Sequence, residues 1–297
     1  MKFVITGAAG NVSRPLTEKL LQAGHTVTVI GRNPEHLKPL TDQGAEAAIG
    51  SFEDLEFLKK TFTGANAVYT MLSPSFSAQD MKAYMGQIGK NYAEAIKASA
   101  VKYIVNLSSV GAHNSDGCGP VSGLYRVEQT LNELKDVNIK HLRPVYFFNN
   151  FLRSVAMVKN MNIIGANFGG PGFKMPLVNP AEIADFAFAE LSALKFSGYS
   201  HRYIAGDERT TDEIASVLGA AVGKPHLPWI IFSDAQAYDG MKQMGLPEEF
   251  AKNYVEMGHA IHTGKLMEDY WKNQPVVFCK TKLEDFAKTF AAAYYAN

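Results

Sequence analysis

The sequence is poor in the features that mark several protein classes. Its 297 residues include only two cysteines, Cys118 and Cys279, with no Cys-x-x-Cys and no metal-binding spacing. A disulfide framework and a structural zinc site are thereby excluded, and reduced thiols in a cytoplasmic protein are expected. Neither charge is in excess: Lys+Arg and Asp+Glu number 29 each, so the formal net charge is zero. A nucleic-acid groove needs a basic stripe to displace counterions, and no run of residues supplies one. No apolar stretch approaches the roughly 20 residues of a membrane span. A strand-like segment starting at Lys2 leaves no room for a signal or transit peptide. What is left is a chain with 46% apolar and 20% charged residues, which suits a soluble globular enzyme with a large core.

The amino terminus carries the strongest local signal. Lys2 to Thr6 (KFVIT) runs into Gly7-Ala8-Ala9-Gly10-Asn11-Val12-Ser13 and then a helical stretch, about Asn11 to Ala23. A second apolar run, Thr26 to Ile30, ends in Gly31-Arg32. Strand, glycine turn, helix and strand in that order form the context in which a glycine pattern binds a dinucleotide. Gly7 permits a turn closed to residues with a Cβ, and Gly10 lets the backbone approach a pyrophosphate. The helix points its free N–H groups at that anion, a placement worth about 0.3–1 kcal/mol. Ser13 fills the third glycine position, which strains the packing of helix on strand without forbidding it. In NAD(H) sites a carboxylate near the end of the second strand takes the ribose hydroxyls. Here the chain reads Gly31-Arg32-Asn33-Pro34, and a planar guanidinium suits a 2′-phosphate instead. NADP(H) is therefore expected ahead of NAD(H), with Arg14 as a second phosphate partner. The plainer reading of Arg32 is a solvated loop arginine.

Further apolar runs at Glu46–Ile49, Ala67–Met71, Tyr103–Leu107 and Lys140–Leu142 alternate with segments of helical spacing. This predicts an α/β fold with a doubly wound parallel (Rossmann) sheet. Residues 1–150 read as its dinucleotide-binding core and residues 151–297 as a smaller, mostly helical lobe. His201 to Ala205 is a candidate strand returning to the sheet. Helices are predicted over Ala78–Ala98, Pro180–Leu194 and Thr210–Val222. In the first, Met81, Met85, Ile88, Tyr92 and Ile96 form one apolar face, suited to the core or to a homodimer. Ligands bind such sheets at the carboxyl ends of the strands, so the loops after Met71, Leu107 and Leu142 should face the nicotinamide.

With these segments in view, the chain resembles the NmrA-like branch of the atypical short-chain dehydrogenases over nearly its whole length. The carriers are ITGAAGNVS, GRNPE, NLSSVGAH, LYRVEQTLNEL, LRPVYFFNNFL, PAEIADFAFAEL and TKLEDFAKTFA. The resemblance implies an NAD(P)-binding Rossmann protein, either an NAD(P)H:quinone oxidoreductase or a regulator that binds the dinucleotide without turning it over. It further implies that Gly7, Gly10, Asn11 and Val12 hold the pyrophosphate and that Arg32 meets the adenosine phosphate. Ser51 and Phe52 would then lie near adenine, and Met71, Leu72 and Ser108 along the channel to the nicotinamide. Pro144, Tyr146 and Phe147 would flank that ring.

Short-chain dehydrogenases pair Tyr-x-x-x-Lys on a helix with a serine on the preceding strand; the lysine lowers the tyrosine pKa. Ser108, Ser109 and Tyr125 are in place, but Gln129 stands where the lysine should be. Without that charge Tyr125 is a poor acid–base catalyst, a loss of about 10²–10⁴-fold. Alcohol oxidation and sugar-nucleotide epimerisation are accordingly disfavoured. A Tyr-x-x-x-Lys at Tyr238–Lys242 lies too far along the chain to serve. Hydride transfer to an electron-poor quinone demands chiefly proximity and orientation. For such a small-molecule acceptor Tyr146, Phe147 and Phe148 offer aromatic surface, and His113 is a candidate proton donor or a plain loop histidine. His259 and His262 lack an evident third ligand, so no metal is expected. Cys118, in a glycine-rich loop, would be reactive only if exposed.

Overall fold

The structure, a computed structural model, describes residues 1–296. From Lys2 to Pro144 strands and helices alternate. They are β1 (Lys2–Ile5), α1 (Ser13–Gln22), β2 (Thr26–Gly31), α2 (Pro34–Thr41), β3 (Glu46–Ile49), α3 (Leu55–Phe62), β4 (Ala67–Thr70), α4 (Met81–Ser99), β5 (Tyr103–Leu107), α5 (Pro120–Asn132) and β6 (Asn138–Pro144). Local chemistry starts several helices. Asn33, Asp54 and Asp80 each accept a hydrogen bond from a first-turn N–H of α2, α3 and α4. The second half contains β7 (Tyr146–Phe147), a 3-10 turn over Phe148–Ser154, α6 (Val155–Met161), β8 (Ile164–Ala166), β9 (Lys174–Val178), α7 (Pro180–Ala193) and β10 (Tyr199–Ile204). There follow β11 (Asp207–Thr210), α8 (Thr211–Ala221), β12 (Trp229–Ile231), α9 (Asp234–Gln243), α10 (Glu248–His262), α11 (Glu268–Lys272) and α12 (Leu283–Tyr295).

Seven parallel strands form the main sheet in the order β10-β6-β5-β4-β1-β2-β3. The doubly wound sheet is thus present, and β10 returns beside β6 where His201 to Ala205 was expected. The strand order reverses between β1 and β4, which opens a crevice at their carboxyl ends. Small sheets of order β11-β9-β7 and β12-β8 add strands to the mostly helical second half. Both faces of the main sheet are buried: Phe3, Ile5, Val27 and Leu142 pack with Leu16 and Ile183 on one side. Val4, Val68, Ile104 and Ile139 pack with Leu58, Ile88 and Val127 on the other. Near-continuous apolar strands are what such two-sided burial requires.

One alternative is resolved and one expectation changes. Met81, Met85, Ile88, Tyr92 and Ile96 are all buried in that second cluster, so the apolar face offered to a homodimer is used within the chain. The strand expected at Lys140–Leu142 extends over Asn138–Pro144, because the polar His141 and Arg143 that interrupted its apolar pattern are buried and paired. Among the described residues no helix is long and apolar enough to cross a membrane.

Candidate functional site: a dinucleotide crevice under a carboxy-terminal strap

The crevice is built from the backbone outward. Gly7 adopts φ +62°, and a Cβ there would sit 2.2 Å from Met71 Sδ, so glycine is required on both counts. The Gly10 N–H closes a turn on the Gly7 carbonyl at 2.9 Å, and Arg14 N–H on the Gly10 carbonyl (3.0 Å) opens α1. Val12, at the helix cap, offers no side-chain hydrogen bond. Arg14 N–H is thus taken and Pro15 has none, so the Asn11, Val12 and Ser13 N–H groups, which make no backbone bond among the described residues, are left for an anion. Asn11 is exposed beside them and Val12 is buried. Ser13, at the third glycine position, is fully buried against β4. It faces the Tyr69 phenol, which burial pushes up while Ser13 pulls it down; neither hydroxyl has a satisfied hydrogen bond.

Thr6, which no motif singled out, locks the strand ends together. Its hydroxyl donates to the Met71 carbonyl at 3.2 Å and accepts from the Met71 N–H at 2.8 Å. Tyr92 donates to the same carbonyl at 2.8 Å. Met71 is half-buried at this junction and Leu72 is buried behind it.

At the adenosine end, Arg32 is exposed just past β2 and makes no ion pair or hydrogen bond among the described residues. Its charge acts on Tyr84, whose phenol burial and the Glu53 carboxylate push up to about 12. Arg14 instead pairs with Glu18 at 3.1 Å; such an exposed pair is worth about 0–1 kcal/mol. Gly50 N–H meets the Gly31 carbonyl at 3.1 Å, bringing Ser51 and Phe52 beside the Arg32 turn. Ser51 accepts from Glu53 N–H (3.2 Å), and Asn91 holds the Phe52 carbonyl at 3.2 Å.

At the other end, Ser108 N–H bonds the Leu142 carbonyl at 2.8 Å, and its buried Oγ has no partner. Pro144 is buried, while Tyr146 and Phe147 are half-buried. Burial pushes the Tyr146 phenol up to about 12. Phe148 stacks on Phe286 with centroids 5.4 Å apart and belongs to the core. Tyr125 is half-buried on α5, and Gln129 is exposed. The buried cation beside α5, Arg143, does not stand in for the missing lysine. Its guanidinium bonds both carboxylate oxygens of Glu128, at 3.0 and 2.6 Å. Burial alone would lower its pKa, but Glu128 outweighs that and raises it, so the charge is spent on Glu128.

Residues from the second half close this end. Burial pulls the Asp269 carboxyl up, but the Tyr203 hydroxyl, which donates to it, and the nearby His113 and Arg143 charges hold it below its ordinary value. Lys82, in the first turn of α4, bonds Glu256 at 2.8 Å and Asp116 at 2.9 Å. Phe76, Phe250 and Tyr254 stack at centroid spacings of 4.4 and 4.1 Å, joining the loop after β4 to α10. His113 lies under the strap between α10 and α11. Its Nδ1 is buried and unpartnered, and its Nε2 is 3.4 Å from Glu268 Oε1.

The remaining sequence signals fall elsewhere. Tyr238 and Lys242 lie on α9, which has no buried residue, and Tyr238 lines a separate cleft of about 520 Å³ with His259. His259 pairs with Asp234 at 2.9 Å and His262 stacks on Phe173, so the two share no site; no metal-binding cluster exists among the described residues. Cys118 is buried, and burial pushes its thiol up to about 11, which makes it unreactive.

A nicotinamide dinucleotide fits these residues: a glycine cradle that a Cβ would fill, an uncapped helix end, an unpaired guanidinium and the orphaned Ser13 and Ser108 hydroxyls. Comparison with known proteins agrees. Residues 7–141 match the NAD(P)H-binding family model. Agroclavine dehydrogenase of Claviceps purpurea is 24% identical over 151 residues, 49% of this chain and 50% of that one. The chain spans between 20% and 57% of the length of the curated relatives it matches. Triphenylmethane reductase of Citrobacter sp. has a TM-score of 0.82 at 20% identity, covering 98% of this chain and 100% of that chain. An NADPH-dependent quinone oxidoreductase of Escherichia coli, solved with NADPH, has a TM-score of 0.81 at 21% identity, covering 97% and 99%. At these identities the shared property is the fold alone.

Proposed function

We propose, for a chain whose residues 7–141 match the NAD(P)H-binding family model, that it is an NADPH-dependent reductase. Its acceptor would be a quinone or a similarly flat, electrophilic small molecule. The observation that carries this reading is the pairing of an intact dinucleotide cradle with a catalytic helix that lacks its lysine. Carbonyl–alcohol chemistry needs a strongly tuned acid at Tyr125, whereas an electron-poor ring needs mainly close, ordered approach. The folds shared with a quinone oxidoreductase and a dye reductase support the same choice.

Bound here, NADPH supplies a hydride; the chain supplies the rest. Gly7, Gly10, Asn11, Val12 and the Ser13 N–H at the start of α1 hold the pyrophosphate, and Arg32 takes the 2′-phosphate. Ser51 and Phe52 border the adenine. Met71, Leu72 and Ser108 line the way to the reacting ring, which Pro144, Tyr146 and Phe147 flank. His113 gives the proton that accompanies the hydride, and Tyr125 borders the acceptor without carrying that proton.

The test is loss of NADPH absorbance with a panel of benzo- and naphthoquinones, beside cofactor binding by calorimetry. Turnover with a naphthoquinone is expected. Tight NADPH binding with no turnover across the panel would overturn the enzyme reading. It would favour a dinucleotide-dependent sensor, for which the exposed Gln129 and an α9 with no fully buried residue are the supporting features.

A further inference from the structure

We propose that Tyr84 is a specificity-determining residue for the cofactor: by holding the Glu53 carboxylate, it keeps Arg32 unpaired for the 2′-phosphate. This role rests on the NADPH reading above. The Gly50 N–H bonds the Gly31 carbonyl at 3.1 Å, which lays residues 51–53 beside the turn that carries Arg32. Both Arg32 and Glu53 are exposed, yet Arg32 makes no ion pair or hydrogen bond among the described residues. The two charges nevertheless act on one phenol, since burial and Glu53 raise the Tyr84 pKa while Arg32 lowers it.

The restraint comes from α4. Tyr84 Oη donates to Glu53 Oε1 at 2.8 Å, and its half-buried ring is a fixed post for a flexible glutamate. The other acids around the turn are placed otherwise. Asp54 accepts from the Phe57 N–H at 3.0 Å and Asp80 from the Ala83 N–H at 2.8 Å. Glu35 lies in the first turn of α2, where the helix end favours its charge.

The backbone under Glu53 is held without Tyr84. Asn91 Nδ2 donates to the Phe52 and Glu53 carbonyls at 3.2 and 3.1 Å. Gln87 Nε2 donates to Asn91 Oδ1 at 3.1 Å, and Ser51 Oγ accepts from the Glu53 N–H at 3.2 Å. Loss of the Tyr84 hydroxyl therefore frees the Glu53 side chain and leaves the turn in place. A freed carboxylate competes with the 2′-phosphate for one guanidinium. NADH carries no such phosphate and is indifferent to that exchange.

The experiment is calorimetric titration of NADPH and NADH, at low ionic strength, into wild type, Tyr84→Phe, Glu53→Gln, the double variant and Arg32→Ala. Tyr84→Phe should weaken NADPH by about threefold to fivefold, the reach of one exposed ion pair, with NADH unchanged. Glu53→Gln alone should not weaken NADPH, and adding it to Tyr84→Phe should restore the wild-type affinity. High salt should shrink the Tyr84→Phe effect, because it screens the pair that forms. Unchanged NADPH binding in Tyr84→Phe would overturn the inference. So would equal losses for the two nucleotides, or no recovery in the double variant, either of which would make Tyr84 a plain support of the loop. Arg32→Ala separates this role from the reading beneath it. Selective loss of NADPH there, with no effect of Tyr84→Phe, sinks the Tyr84 role alone. Equal losses in Arg32→Ala remove the 2′-phosphate assignment, and this role with it.

Discussion

The two ends of the candidate site are built differently. The pyrophosphate cradle is local: Gly7, Gly10 and the start of α1 lie within one turn of chain, and their geometry is set by backbone and the Thr6 lock on Met71. The acceptor end is assembled from afar. His113 meets Glu268 across 155 residues, Tyr203 meets Asp269 across 66, and Lys82 meets Glu256 across 174. On the proposed reading, a generic ligand part, the dinucleotide bridge, would be held by generic backbone. The variable part, the proposed acceptor, would face side chains that only the folded second half brings together. This is the division expected when a common cofactor serves different substrates.

The contrast can be broken from either side. The largest effect is expected at the buried Arg143–Glu128 pair. Glu128→Ala leaves Arg143 buried without its partner and should cost about 3–5 kcal/mol in denaturant unfolding; a loss below about 1 kcal/mol would mean that water or Asp269 takes over the charge. Acid should loosen the same region. Burial pulls the His141 pKa down to about 4 from 6.5, and its ring bonds Asn106 (3.1 Å) and Asn132 (2.9 Å). The folded-state value is depressed, so the unfolded chain binds the proton more readily. Stability is full above about pH 6.5 and falls by up to about 3 kcal/mol as the pH drops towards 4. His141→Gln should flatten that part of a melting-temperature–pH curve.

The cradle end is probed by Arg32→Ala, which should weaken NADPH by about 1.5–3 kcal/mol relative to NADH. Equal losses for the two cofactors in calorimetry would show that Arg32 does not read the extra phosphate. The smallest effect belongs to Tyr125→Phe, expected to change quinone reduction by less than about threefold. A collapse in kcat would return Tyr125 to the role its missing lysine argues against.

Much of the cradle was legible because its signals are short-range. A glycine that needs φ +62° announces itself next to a β-branched strand, and an arginine at a strand end sits a fixed distance from the turn. Other features were hidden by the same locality. Arg14 reads in the sequence as a second phosphate partner, and only the folded helix shows its guanidinium paired with Glu18. The apolar stripe of α4 reads alike whether it meets its own sheet or another subunit. Phe148 could not be separated from Tyr146 and Phe147 until Phe286 arrived from the last helix. Thr6 carried a signal, its place one residue before the first glycine, but its bridging role needs β4 beside β1. Glu268 carried none.

By itself, the order of residues determined the parallel sheet, the cradle and a taste for dinucleotides, since alternation, glycine conformational freedom and strand-end charge act over a few residues. Tertiary structure alone decided which histidine meets a carboxylate, that both cysteines are sealed from solvent and which charges cancel. Those outcomes depend on distances between segments far apart in the chain, and such distances exist only once the lobe has packed onto the sheet.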